Sequence, residues 1–275
     1  GMTIVEGTAG NTGIGLALVG RALRYKVLVV MPKGQAQEKE RMVTLFGGEL
    51  KLVDPCPFAN PNHFYHTAGR IGEEAPEQYW WANQFENLGN FRAHYTGTGP
   101  EIWEATAGQV DAVVSVAGTG GTIAGVSRFL KEKNSKIQVH LVDPEGSGLC
   151  AHFHQGEFRA EGSSITEGIG IMRLVANFAE AKVDDAFTVK DDKVVAMAHY
   201  LRDQDSLVLG SSAALNVCGA LKVARKLGPG KTVVTFLCDG GERALSKLYN
   251  PAFLKEKGLD PRTAGTPDQW FGDGS

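Results

Sequence analysis

The run Val110 to Val116, followed by Gly118-Thr119-Gly120-Gly121-Thr122 and a helical pattern from Gly121 to Lys133, decides how this chain is read. A short β-branched run that passes through glycines into a helix is half of a strand–crossover–strand unit. Glycines let the backbone approach an anion, a helix start presents unpaired N–H groups with partial positive charge, and two threonine hydroxyls add donors. The segment reads as a phosphate cup or as a structural tight turn. It is not a dinucleotide loop, because Ile123 stands where GxGxxG needs its third glycine, and the lysine of a nucleotide-triphosphate loop is absent.

The same alternation extends outward. Thr3 to Glu6, Val27 to Met31, Leu50 to Val53, Val139 to Val142 and Thr232 to Leu237 read as buried strands. Gly13 to Leu23, Glu38 to Phe46, Asp192 to Arg202 and Ala213 to Leu227 read as helices. This pattern predicts an α/β protein with mostly parallel sheets covered by helices on both faces. A second lobe is expected from near Val110, giving a smaller lobe over 1–109, a larger one over 110–260 and a tail over 261–275. The glycine-rich, polar stretch Asp143 to Gly170 reads as a functional loop. Because the chain opens directly on a strand, one sheet edge is expected bare, covered by an upstream segment or by another subunit.

At 275 residues and 43% hydrophobic content the chain can bury a full core. Its 28 Lys plus Arg against 31 Asp plus Glu show no basic excess, which turns the reading from nucleic acid toward small molecules. Cys56, Cys150, Cys218 and Cys238 lie far apart with no CxxC or zinc spacing, as reduced structural thiols do. The histidines, among them His63, His66, His94, His152 and His154, form no metal-ligand pattern and read as solvated or core residues. Apolar runs are too short to span a bilayer and no signal-peptide pattern opens the chain, so a soluble, cytoplasmic protein is expected.

Two further loops sit before helices. Thr8-Ala9-Gly10-Asn11-Thr12 gathers hydroxyls, an amide and backbone N–H groups, which suits a carboxylate; ordinary capping by Asn11 or Thr12 is the alternative. Gly210-Ser211-Ser212 reads first as an N-cap, since GxSxG is not formed. Trp80-Trp81, beside Gln84, reads as packing against the sheet.

Together these segments resemble the fold-type II pyridoxal-phosphate family that includes cysteine synthase and cystathionine β-synthase, over Thr3 to about Leu254. The specific stretches are Glu6 to Ala17, Asn83-Gln84-Phe85, Gly99 to Trp103, Gly118 to Gly125, Glu167 to Gly170 and Gly210 to Ala213. The resemblance implies two three-layer α/β/α lobes, as in tryptophan synthase β. It also implies that Gly118, Thr119, Gly120 and Thr122 hold the phosphate of pyridoxal 5'-phosphate. Asn11 would bond the ring 3'-hydroxyl, and Ser212 would face the pyridine nitrogen. Thr8, Gly10, Asn11 and Thr12, with Gln84, would bind the substrate α-carboxylate. A serine at the ring nitrogen implies a weak electron sink suited to β-elimination from an activated serine, then addition of sulfide or another nucleophile. A homodimer is implied as well.

In that family the Schiff-base lysine precedes the strand ending at Glu6, and here the first lysine is Lys26. No residue of the chain takes the family's catalytic role. The expectation is therefore a chain short of its N-terminal segment and inactive as it stands; the alternative is a non-catalytic cofactor- or amino-acid-binding relative. Ala9, Gly7 and Gly97 stand where the family tends to have serine, proline and threonine, which puts substrate choice in question.

Overall fold

The computed structural model describes residues 1–262 and 265–270. They form two compact units, residues 1–87 and residues 88–275.

The first unit comprises β1 (Thr3–Gly7), α1 (Asn11–Ala22), β2 (Lys26–Pro32), α2 (Gln37–Leu45), β3 (Glu49–Val53), α3 (Phe64–Glu74) and β4 (Tyr79–Trp81). Its sheet runs β3-β2-β1-β4 with every pair parallel. Side chains alternate across a strand. Val27, Val29 and Met31 of β2 accordingly meet Ile14 and Val43 on one face, while Val30 joins Val5 and Ala68 on the other. Each such burial contributes about 1.5–3 kcal/mol.

The second unit begins with α4 (Gly89–Ala93), a π-helical turn (His94–Thr98) and α5 (Gly99–Ala105). Then follow β5 (Ala112–Ser115), α6 (Gly121–Lys133), β6 (Gln138–Pro144), α7 (Leu149–Gln155), α8 (Ala176–Ala179), β7 (Asp185–Val189), α9 (Asp191–Asp205), α10 (Ser211–Leu227), β8 (Val233–Val234), α11 (Pro251–Glu256) and α12 (Pro267–Trp270). Its parallel sheet runs β7-β6-β5-β8. Val113 faces Val126 and Leu130 of α6, whereas Ala112 and Val114 face the core shared with α9 and α10. Each unit is thus the three-layer, parallel α/β arrangement that the alternating pattern implied.

Several expectations change. β1 is an interior strand, paired with β2 on one side and β4 on the other, so the bare edge expected beside it does not exist. The units divide after Asn87 rather than near Val110, because the helical segment 89–105 packs on α6. Of the strand expected over Thr232 to Leu237, only Val233–Val234 pairs. Just beyond it the Thr235 hydroxyl donates to Val114 O at 2.8 Å, bonding that strand carbonyl through a side chain. Trp81 packs against the sheet as expected, but its neighbour Trp80 is 47% exposed. In the expected tail, Trp270 is buried in the core; residues 263, 264 and 271–275 lie outside the described residues.

Asn216 of α10, wholly buried, ties helix to sheet: its Oδ1 accepts from Val116 N at 2.7 Å and its Nδ2 donates to Phe236 O at 2.8 Å. Asn216→Leu keeps the volume and leaves both backbone groups without that partner. It should destabilise the protein by about 2–4 kcal/mol, read as a lower urea midpoint at unchanged slope.

Candidate functional site: glycine-capped helix starts

Both units place loops where parallel strands end and helices begin, the usual location of ligands in open α/β sheets. In the first unit, Thr8 is buried with its N–H on Val30 O (3.0 Å), and its hydroxyl accepts from Gly10 N at 3.1 Å. Gly10 is the N-cap of α1 with φ 143°, and a Cβ there would fall 2.5 Å from Cδ of Lys39, a buried residue of α2. Only glycine meets both conditions. The expected alternative, capping by Asn11 or Thr12, is not realised: both are helical residues, and the cap makes no side-chain bond. The amide groups of the first turn of α1 have no intrahelical acceptor.

Gln84 reaches the same loop. Asn83, at φ 48°, turns the chain so that Gln84 N donates to Glu6 Oε2 at 3.2 Å. The Gln84 side chain donates to Gly7 O (2.8 Å) and accepts from the Thr12 hydroxyl (2.5 Å). The same side chain also hydrogen-bonds the Glu6 carboxyl. Thr8, Gly10, Thr12 and Gln84 are brought together, joined by Glu6, which the motif reading passed over. Its signal was a carboxylate inside a run read as a buried strand. Glu6 is fully buried, its Oε1 has no hydrogen-bond partner, and burial pushes its carboxyl up to about 7 against the opposing bonds from Gln84, Gly7 and Asn83.

In the second unit, β5 gives way through Gly118 and Thr119 to Gly120, the left-handed N-cap of α6 (φ 85°) with no side-chain cap bond and no acidic residue in the first turn. A Cβ on Gly120 would lie 2.5 Å from the Phe178 side chain, and one on Gly118 2.3 Å from Gly168 O. The expected functional stretch therefore does come against this loop, through Gly168. Asn90 Nδ2 donates to Thr119 Oγ1 at 2.7 Å, which leaves that hydroxyl's own hydrogen to point elsewhere. Thr122 Oγ1 lies 3.1 Å from His94 Nε2, while His94 Nδ1 meets Thr98 Oγ1 at 2.9 Å. Burial lowers the His94 pKa, which favours a neutral ring that donates through one nitrogen and accepts through the other. Asn90 and His94 were not singled out as site residues; they sit on the helical segment before the sheet, and only packing carries them to the loop.

Ser212 stands apart on α10, buried, in the first turn behind the N-cap Gly210. Neither Ser211 nor Ser212 caps the helix. Its hydroxyl hydrogen-bonds the Cys238 thiol, whose sulfur also accepts from Asn216 Nδ2 at 3.3 Å. Among the described residues no cluster could hold a metal ion, and no helix is long and apolar enough to cross a membrane.

Residues 1–239 match the family of pyridoxal-phosphate dependent enzymes. The chain is 43% identical over 284 aligned residues to cysteine synthase 2 of Schizosaccharomyces pombe, spanning 96% of this chain and 72% of that protein. It is 45% identical over 268 residues to cysteine synthase of Dictyostelium discoideum, spanning 93% and 70%. Among solved structures, the O-acetylserine-dependent cystathionine β-synthase of Helicobacter pylori superposes with TM-score 0.80 at 31% identity, covering 90% of this chain and 77% of that one. The chain belongs to the pyridoxal-phosphate-dependent enzyme family. Within it, the chain is of the cysteine-synthase-like kind, an enzyme class whose cofactor is pyridoxal 5'-phosphate.

The buried carboxyl of Glu6 gives stability a defined pH dependence. Its pKa rises from 4.5 to about 7 on folding, so between those values the folded state holds the extra proton. The contribution is complete at low pH and is lost as pH rises through about 7, an effect on the order of 3 kcal/mol. Glu6→Gln should therefore unfold at a higher urea concentration than the parent near pH ~8 and at a similar one near pH ~4.

Proposed function

We propose that this protein makes cysteine or a cysteine-like amino acid by β-replacement, exchanging the leaving group of O-acetylserine or a related activated serine for sulfide. The carrying observation is the Gly118–Thr122 loop, a cradle at the start of α6 in which a Cβ at either Gly118 or Gly120 would strike backbone or side chain. A dianionic phosphate fits this donor set: an uncapped helix start, two threonine hydroxyls and no carboxylate in the first turn. The relatives' names, cysteine synthase and O-acetylserine-dependent cystathionine β-synthase, support the substrate class.

In this reading the phosphate of pyridoxal 5'-phosphate is held by Gly118, Thr119, Gly120 and Thr122. Asn11 bonds the ring hydroxyl and Ser212 faces the ring nitrogen. When bound, the cofactor supplies an electron sink that eases removal of the α-proton and departure of the β-substituent. Ser212, a neutral hydroxyl, does not protonate the ring as a carboxylic acid would. The amino-acid carboxylate is oriented by the first-turn N–H groups of α1 and by Thr8, Gly10, Asn11 and Thr12, with Gln84 beside them. Thr12 supports this set by spending its own hydrogen on Gln84 Oε1.

Lysine linkage of the cofactor is assigned to no lysine among these 275 residues. Borohydride reduction after soaking with pyridoxal 5'-phosphate should leave no stoichiometric label at a single lysine; a clean single-site label overturns that point. For the cup, Thr122→Val should weaken pyridoxal 5'-phosphate binding by about 10–100-fold in equilibrium dialysis, and Ser212→Ala by about fivefold. Equal losses would place the phosphate elsewhere. Cysteine formation from O-acetylserine, O-phosphoserine and serine with sulfide, assayed with the lysine-bearing segment of a cysteine synthase supplied upstream, tests the reaction itself.

A further inference from the structure

We propose that His94 is a positioning residue of the phosphate cup: held at one ring nitrogen by Thr98, it donates through the other to Thr122, so that the Thr122 hydroxyl keeps its hydrogen for a bound phosphate. The inference rests on the reading of Gly118–Thr122 as a phosphate site given above. Its geometry is a chain of three side chains. Thr98 Oγ1 lies 2.9 Å from His94 Nδ1, and His94 Nε2 lies 3.1 Å from Oγ1 of Thr122, in the first turn of α6. Gly125 of α6 makes the approach possible, since a Cβ there would fall 2.6 Å from His94 Cβ and 2.5 Å from Tyr95 N. His94 and Thr98 begin and end the π-helical turn, a wide turn of a kind often found at functional sites.

A hydroxyl has one hydrogen and a neutral imidazole has one N–H, so this chain of bonds runs in one of two directions. In the first, the Thr98 hydroxyl donates to Nδ1 and Nε2–H donates to Thr122 Oγ1, which leaves the Thr122 hydrogen for the cup. In the second, Thr122 spends its hydrogen on Nε2 and turns only lone pairs toward the cup, while Nδ1–H donates to Thr98. A phosphate dianion accepts hydrogen bonds and donates none, so its presence selects the first direction. Burial lowers the His94 pKa, which keeps the ring neutral and both tautomers open to it. Thr119 differs in kind. The donor to its oxygen is the Asn90 amide nitrogen, at 2.7 Å, and an amide nitrogen cannot accept a hydrogen in return. Donation by Thr119 is therefore built in, whereas donation by Thr122 depends on the tautomer of His94. Selecting that tautomer moves one proton from Nδ1 to Nε2 with no net gain or loss.

The test is ring-nitrogen NMR of the chain labelled with ¹⁵N-histidine, with inorganic phosphate or pyridoxal 5'-phosphate added at pH ~8, where both phosphates are dianions. The His94 signals are those lost in His94→Gln or His94→Phe. The loaded protein should show Nε2 protonated and Nδ1 bare. A protonated Nδ1, alone or together with Nε2, overturns the proposal. In equilibrium dialysis against pyridoxal 5'-phosphate, His94→Phe should weaken binding by about fivefold, and His94→Gln, whose amide can donate to Thr122, should recover to within about twofold of the parent. On a Thr122→Val background His94→Phe should add nothing, because a residue that acts through Thr122 then has nothing to position. Equal losses by His94→Phe with and without the Thr122 hydroxyl would mark a structural role and overturn the proposal. Thr119→Val keeps this distinct from failure of the cup. If Thr119→Val and Thr122→Val both bind as the parent does, or the parent binds neither phosphate, the cup is misassigned and the proposal falls with it. If both weaken binding while His94→Phe does not, the cup stands and the positioning role alone falls.

Discussion

Parallel pairing imposes the constraint on which the rest of this molecule depends. Neighbouring strands run the same way, so their carboxyl ends collect on one side of each sheet and each must hand over there to a helix. In this chain the handover falls on glycine: Gly10 before α1 and Gly120 before α6, with Gly210 also preceding α10. None of the three helices receives a side-chain cap. An aspartate or serine at the cap would stabilise the helix by about 1 kcal/mol and occupy the first-turn N–H groups. Glycine forgoes that gain and leaves those groups to an anion, while at Gly10 and Gly120 it also admits the positive φ that the turn requires.

Such loops hold their shape only if something rigid stands behind them, and here the support is polar and buried. Asn177 accepts from Phe91 N, at the base of the helical segment that carries Asn90 and His94 to the glycine loop. Asn216 anchors the end of β5 and also reaches the sulfur that meets Ser212. Glu6 does the same work behind the first loop at greater cost, since a carboxyl in that position resists ionisation. A group that is expensive to bury and sits one residue from a candidate anion site is where structure and proton chemistry become coupled.

Much of the architecture was readable from pattern. The runs around β2 and β6 and the helical stretch of α6 are long and periodic, and their positions agree with the expectation to within a residue or two. The short strand β4 was not, because three residues of Tyr and Trp carry no periodicity, and its absence from the reading made β1 look like an edge. The boundary between the units was misplaced for a similar reason: the segment 88–110 has no apolar run of its own and is assigned only by its packing on α6.

For the candidate site, the sequence by itself determined the residue types at each loop. Glycines, threonines, an asparagine and a glutamine at fixed spacing carry their hydrogen-bonding capacity and backbone freedom with them, and those are local properties. Which of those groups is already committed was decided only by the tertiary structure. That Thr12 spends its hydrogen on Gln84, that Ser212 does not cap its helix, and that Glu6 is enclosed with one oxygen unpartnered all depend on contacts between residues distant in the chain. Burial and desolvation arise from the whole surrounding shell, so no local spacing encodes them.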